Sequence, residues 1–266
     1  MALIHMNFFS EVLKMSSQME VILPQDVKSQ IGAGTSKHQK KYPVLYLLHG
    51  MTDNHTTWSR HTSIERYACE RGIAVVMPNG HLGWYTDMKY GYDYYTYISQ
   101  EIPKLCERFF PCISNIREGR FIAGNSMGGY GAFKIALKNP EKFSGAVSLS
   151  GALDAASSAE KSKDKFYSAL WEDIFGDLKS IIGSDNDIFA LAQNLKLHNA
   201  KIPKLYMWCG ISDSLYDQNV KAKTYLKNLG FDLVYKESEG DHSWKYWDKY
   251  IQDALDWILT CYGKGE

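Results

Sequence analysis

No stretch of this 266-residue chain holds the roughly 18 consecutive apolar residues that a bilayer span requires. Nor does any stretch pair an apolar face with a basic one, as a helix lying on a membrane surface does. Basic runs are missing too. Lysine and arginine together number 30, aspartate and glutamate 30, and the net charge is zero. Nothing here would track a phosphate backbone, so nucleic acid and membrane are excluded as expected partners. The opening stretch, MALIHMNFFSEVLKM, lacks a basic segment ahead of an apolar one and does not read as a secretory signal. Cysteine is sparse. Cys69, Cys106, Cys112, Cys209 and Cys261 are odd in number and match no zinc spacing. Reduced thiols in a cytoplasmic protein are the simplest reading. Repeats and low-complexity segments are absent as well. What is present is an ordinary globular balance, 45% hydrophobic and 23% charged, with length enough for one large core. A single domain over residues 1–266 is expected.

Two alternating segments, residues 6–14 and 18–23, read as an antiparallel strand pair at a sheet edge. Residues 28–42 are polar and contain glycine, as a loop would. Beyond them the period changes. Val44–Leu48, residues 73–77, 120–123, 143–149 and 204–209 are short, continuous apolar runs of the kind buried on both faces of a parallel sheet. Leu233–Ser238 is a further strand. Between them lie helical patterns at 63–71, 95–110 (with Pro103 its awkward residue), Met127–Lys138, 218–229 and 244–259. This alternation predicts an α/β fold with a mostly parallel sheet and helices on both faces. Residues 152–200 interrupt the rhythm and read as a lid-like excursion over the sheet. In such folds ligands bind beyond the carboxyl ends of the strands.

One of those ends reads RFIAGNSMGGY. Gly124-Asn125-Ser126-Met127-Gly128 is a G-x-S-x-G between an apolar strand and a helix-forming run. A serine on so sharp a turn needs neighbours without side chains two residues away on either side. Its hydroxyl is a poor nucleophile until an imidazole takes its proton. His242, between the last strand and the last helix, is the candidate base. Asp213, just after the strand at 204–209, is the candidate acid to hold the imidazole's Nδ1–H, and Asp217, one turn on, is the alternative. The backbone N–H groups of Met127, at the start of a helix, and of Met51, in the loop after Val44–Leu48, are candidate donors to an oxyanion. His49, His55 and His61 recur every six residues, a spacing that fits no metal-ligand pattern, so no metal is expected.

Together, PVLYLLHGMTDNHTTW, VVMPNGHLGWYTDMKYGYDYYT, FIAGNSMGGYGAFKIAL, CGISD and GDHSWKYW resemble the bacterial tributyrin esterases. These belong to the wider esterase D group of α/β-hydrolases, with S-formylglutathione hydrolases, feruloyl and acetylxylan esterases and mycolyltransferases. The resemblance implies cofactor-free hydrolysis of short-chain acyl esters, acetyl to butyryl. It gives Ser126, Asp213 and His242 the triad roles, Met51 and Met127 the oxyanion-hole roles, and implies a homo-oligomer. S-formylglutathione hydrolases carry a cysteine shortly after the oxyanion-hole glycine, whereas this chain has Met51-Thr52-Asp53-Asn54-His55. A feruloyl or acetylxylan esterase of plant carbohydrate, or an acyltransferase using the same triad, is the alternative.

For the substrate, Trp84, Tyr85, Tyr90, Tyr92, Tyr94, Tyr95 and Tyr97 offer aromatic faces for sugar rings or phenolic acyl groups, or else pack a loop against a helix. Trp84 and Trp244 are the candidate substrate-binding residues. Trp244, two residues after the base, is expected to line the acyl pocket. Phe166, Tyr167 and Trp171 of the excursion are placed to bound the acyl or leaving group.

Overall fold

The structure is a computed structural model that describes residues 1–25, 41–162, 164–198 and 201–263. Most of the loop expected at 28–42 lies outside the described residues. Eight strands form one sheet: β1 (Ala2–Ser10), β2 (Met15–Leu23), β3 (Val44–Leu48), β4 (Ala74–Pro78), β5 (Arg120–Asn125), β6 (Gly145–Leu149), β7 (Lys204–Gly210) and β8 (Leu233–Ser238), in the order β1-β2-β4-β3-β5-β6-β7-β8. β1, β2 and β4 pair antiparallel, and every pairing from β4 to β8 is parallel.

The continuous apolar runs are explained by the two cores they serve. On β3, Val44, Tyr46 and Leu48 enter one core, and Leu45 and Leu47 the other. The helices are α1 (Thr57–His61), α2 (Ile64–Arg71), α3 (Tyr94–Thr96), α4 (Ile102–Phe109), α5 (Met127–Lys138), α6 (Ala155–Glu160), α7 (Lys165–Phe175), α8 (Ile188–Leu197), α9 (Tyr216–Asn228) and α10 (Trp244–Tyr262). The first core takes side chains from α4, α5 and α9, the second from α2 and α10. Helices therefore cover both faces of a sheet that carries an antiparallel N-terminal pair. This is the α/β-hydrolase fold.

The structure moves some expected boundaries. β1 runs from Ala2 to Ser10, four residues earlier than the alternation at 6–14 predicts, because its register with β2 runs from Ala2↔Leu23 to Ser10↔Met15 and leaves residues 11–14 to turn. The helix expected at 95–110 is α3, a π turn (Tyr97–Glu101) and α4 in succession. Pro103 follows directly on the π turn, whose Ile102 N–H reaches back five residues to the Tyr97 carbonyl. Residues 152–200 contain α6, α7, a 3₁₀ turn (Leu178–Ile181) and α8. Each begins at an aspartate, Asp154, Asp164, Asp177 or Asp187, whose carboxylate accepts backbone N–H bonds from the first turn. Those four caps were readable in the sequence as helix starts.

Candidate active site

Ser126 stands between β5 and α5 with φ 52° and ψ −119°, a backbone that L side chains avoid. Two close approaches force it. A Cβ on Gly124 would lie 2.4 Å from the backbone of Gly128, and one on Gly128 would lie 2.4 Å from the Leu48 carbonyl oxygen. No flexible side chain can yield at either place. The Ser126 N–H donates to the Leu149 carbonyl at 3.0 Å, and the Ser126 carbonyl accepts from Tyr130 and Ala152 at 3.2 and 3.1 Å.

The turn after β8 brings His242 over this elbow. Its Nε2 lies 3.0 Å from Ser126 Oγ, and its Nδ1 lies 3.0 Å from each carboxylate oxygen of Asp213. A proton on Nδ1 satisfies the carboxylate and leaves Nε2 to accept from the serine hydroxyl. The Asp213 side chain is fully covered. Burial alone would raise its pKa, but the bond to and charge of His242, the Leu215 N–H at 2.8 Å and the Ser150 hydroxyl together hold it below the ordinary carboxylate range. Ser150 is itself fixed by the Trp247 indole N–H at 3.2 Å. Asp217 is exposed on the first turn of α9, and it is Asp213 that meets the imidazole.

Met127 opens α5, so its N–H is among the first-turn donors that lack an intrahelical acceptor. Met51 follows β3 in a loop braced by His49. His49 is 1% exposed. Its Nδ1 bonds the Gly50 carbonyl at 2.8 Å, its Nε2 accepts the Gly80 N–H at 2.9 Å, and its own carbonyl accepts the Tyr85 hydroxyl at 2.8 Å. Burial lowers the His49 pKa to about 4, so the ring is neutral and acts as a fixed donor–acceptor bridge. His61 instead stacks on Trp244, with centroids 5.1 Å apart.

A serine, an imidazole and a carboxylate in series, beside two helix-end and loop amides, are the parts of acyl transfer through a covalent intermediate. Known proteins agree on the class. The Esterase family model matches residues 10–258. The chain belongs to that family. This esterase is 38% identical over 263 residues to an acetyl esterase of Caldicellulosiruptor saccharolyticus, covering 97% of this chain and 98% of the relative. Among solved structures it is similar to FphF, a fluorophosphonate-binding serine hydrolase of Staphylococcus aureus in a substrate-bound state. That similarity has a TM-score of 0.87 and 37% identity, over 97% of this chain and 98% of the other. It is also similar to S-formylglutathione hydrolase FrmB from the same organism, with TM-score 0.84, 37% identity and the same coverage. The protein is a serine carboxylic-ester hydrolase. Among the described residues no helix is long and apolar enough to cross a membrane.

Two hollows of the esterase meet at Ser126, His242 and Met51. One, of about 340 Å³, lies under residues 152–200 and is lined by Trp84, Trp171, Tyr167, Ala152, Leu215 and Gln218. Trp84 is 4% exposed and packs on Trp171 at 4.3 Å and Tyr130 at 5.6 Å. The other, of about 360 Å³, is lined by Trp244, Trp247, Asn125, Gly50, Thr52 and Asp53. The structure thus puts Trp84 and Trp244 in different hollows that share the serine. Of the tyrosine run, Tyr85, Tyr94 and Tyr97 are buried, while Tyr90 and Tyr92 are exposed. Sequence reasoning missed Ser150, His49 as a brace, and Asn125. Only Asn125 carried a signal, as a polar residue inside an otherwise apolar strand end next to the nucleophile.

Proposed function

We propose that Ser126 is the nucleophile, His242 the general base, Asp213 the orienting acid, and the Met51 and Met127 N–H groups the oxyanion hole of a cofactor-free esterase for short-chain acyl esters, acetyl to butyryl, of the tributyrin esterase branch. The observation that carries this reading is the His242 ring bridging Ser126 Oγ and Asp213 at 3.0 Å on both sides. His242 takes the hydroxyl proton as Ser126 Oγ attacks the ester carbonyl. The charge that develops on the carbonyl oxygen is met by the two amides. The imidazolium then protonates the leaving alcohol, and water repeats the sequence on the acyl-enzyme. The hollow beneath Trp84 and Trp171 receives the acyl chain. Residues 152–200 serve as its cap within a single domain. The enzyme is cytoplasmic and, on the same resemblance, homo-oligomeric.

The test is kcat/KM on p-nitrophenyl butyrate beside ethyl ferulate, with Ser126→Ala as the blank. Strong turnover of butyrate and weak turnover of ferulate are expected. Comparable or better turnover of ferulate would move the enzyme to the feruloyl esterase alternative. Ser126→Ala and His242→Ala each reduce kcat by about 10⁴-fold or more, and Asp213→Asn by a similar factor, while Asp217→Asn has little effect. Near-full activity of Ser126→Ala or His242→Ala would overturn the mechanism. A damaging Asp217→Asn beside a mild Asp213→Asn would overturn the assignment of the acid. A second reading, thioester hydrolysis, is favoured by the name of the 37%-identical FrmB. It is opposed by the absence of cysteine from Met51-Thr52-Asp53-Asn54-His55. S-formylglutathione as a third substrate in the same assay separates the two.

A further inference from the structure

Trp84 and Tyr85 are consecutive residues with φ of 48° and 49°, a left-handed backbone that L side chains avoid. Behind them lies a buried amine that the chemistry at Ser126 does not use. Lys134, on α5 two turns beyond Ser126, is 1% exposed, and its Nζ donates to two uncharged oxygens, Thr86 Oγ1 at 2.7 Å and Asn186 Oδ1 at 2.6 Å. Burial pushes its pKa well below the ordinary lysine range. A methionine would fill the same space without the cost of burying an amine. The amine is explained by what it holds.

The direction of each bond is fixed. The Thr86 hydroxyl gives its proton to the Trp84 carbonyl at 2.8 Å, so toward Lys134 it can only accept. Lys134 thus heads a chain of donors that ends on the carbonyl between the two strained residues. Tyr85 pins the pair from the other side, its hydroxyl on the His49 carbonyl at 2.8 Å. The same face of α5 holds the cap at three successive i, i+4 positions. Tyr130 Oη donates to the Asn186 carbonyl at 2.9 Å, Lys134 donates to the Asn186 side chain, and Lys138 pairs with Asp185 at 2.8 Å.

The hollow of about 340 Å³ hangs from this turn. Trp84 lines it. Further along the same loop, the Lys89 and Tyr90 N–H groups donate to the Ile174 and Asp173 carbonyls of α7, the helix that carries Trp171. Both indoles that line the hollow, packed at 4.3 Å, therefore depend on where the turn sits.

We propose that Lys134 is a positioning residue for substrate choice: by holding the Trp84–Tyr85 turn and Asn186 to α5 at once, it fixes the walls of the hollow and so sets the length of acyl chain admitted. The proposal rests on the reading above that this hollow receives the acyl chain.

The experiment measures kcat/KM of the full chain on p-nitrophenyl butyrate and p-nitrophenyl octanoate and reads their ratio, which is independent of the amount of folded enzyme. A residue that only stabilises the fold would lower both values together. Lys134→Met keeps the bulk and removes the donors, and it is expected to lower the butyrate-to-octanoate ratio at least about fivefold as the walls yield. Lys134→Gln, too short to span both acceptors, does the same and carries the test if the methionine variant does not fold. Thr86→Val breaks the next link and lowers the ratio likewise, whereas Thr86→Ser, which keeps the hydroxyl, leaves it at the wild-type value. Trp171→Ala opens the hollow directly. A ratio lowered by Trp171→Ala and untouched by the Lys134 variants overturns the proposal, as does a Thr86→Ser effect as large as that of Thr86→Val. A ratio untouched by Trp171→Ala and the Lys134 variants alike overturns instead the assignment of this hollow to the acyl chain, and release undiminished by Ser126→Ala overturns the Ser126 reading.

Discussion

The two sides of the cleft are built by opposite means. On the sheet side, backbone touches backbone. Gly124 meets Gly128, Gly128 meets Leu48, and buried His49 bridges the loop after β3 to Gly80. On the cap side, short helices start at capping aspartates and reach the sheet side mainly through side chains, with two backbone bonds, from the Lys89 and Tyr90 N–H groups to the Ile174 and Asp173 carbonyls at 2.9 and 2.8 Å. Trp171 lies on Trp84, while Lys134 Nζ donates to Asn186 Oδ1 at 2.6 Å and to Thr86 Oγ1 at 2.7 Å. The first region tolerates almost no change of shape, and chemistry that depends on fractions of an ångström is housed there. The second can be repacked, and under the function proposed above the limits on the acyl chain are set there.

The sharpest test of this contrast is a pair of glycine substitutions. Gly124→Ala drives a methyl into the Gly128 backbone, with a loss of more than about 3 kcal/mol or failure to fold. Gly183→Ala in the cap meets nothing within 4 Å and carries only the strain of its φ of +79°, about 1 kcal/mol. Urea unfolding of both variants measures the difference, and equal losses would break the comparison.

Next in size is a pH dependence confined to the rigid side. The folded His49 pKa of about 4 lies below its ordinary 6.5, so in acid the unfolded chain takes up a proton that the folded one refuses. The contribution is full above pH 6.5 and is lost as pH falls toward 4, about 3 kcal/mol in all. Unfolding free energies of the wild type and His49→Gln between pH 7 and 4.5 should converge as pH falls. Curves that stay parallel would show that His49 is not the neutral brace.

The smallest effect belongs to the cap. Trp171→Ala raises KM for p-nitrophenyl butyrate about three- to tenfold and leaves kcat within about twofold, since it removes binding common to ground and transition states. A fall in kcat by orders of magnitude would bring the cap into the chemistry.

The same contrast decides what the sequence disclosed. Continuous apolar runs gave β3 through β7 because a strand buried on both faces has no polar choice open to it. G-x-S-x-G gave the elbow because steric exclusion leaves only glycine at 124 and 128. Met127–Lys138 and Leu233–Ser238 have the expected bounds. β1 was displaced because an alternating pattern specifies which face a residue takes and leaves the turn to set register. The choice of Asp213 over Asp217 rested on strand order, and in space it is Asp213, after β7, that lies within 3.0 Å of the imidazole. The Trp244 hollow and the Ser150 contact to Asp213 were illegible, since each is assembled from segments far apart in the chain whose residues are individually unremarkable.

The pairing of β2 with β4 has a consequence for how the chain is made. The β1–β2 hairpin leaves the ribosome before β4, and the strand it leans on is complete only at Pro78. At about 5–20 residues per second, the nascent hairpin spends a few seconds without that neighbour. A two-stranded hairpin alone in water is marginal, and Met19, Val21 and Ile22, wholly buried in the finished fold, have no cover in that interval. At this edge of the sheet the hairpin is made before the strand that covers it, so its apolar face stays exposed until β4 has been synthesised.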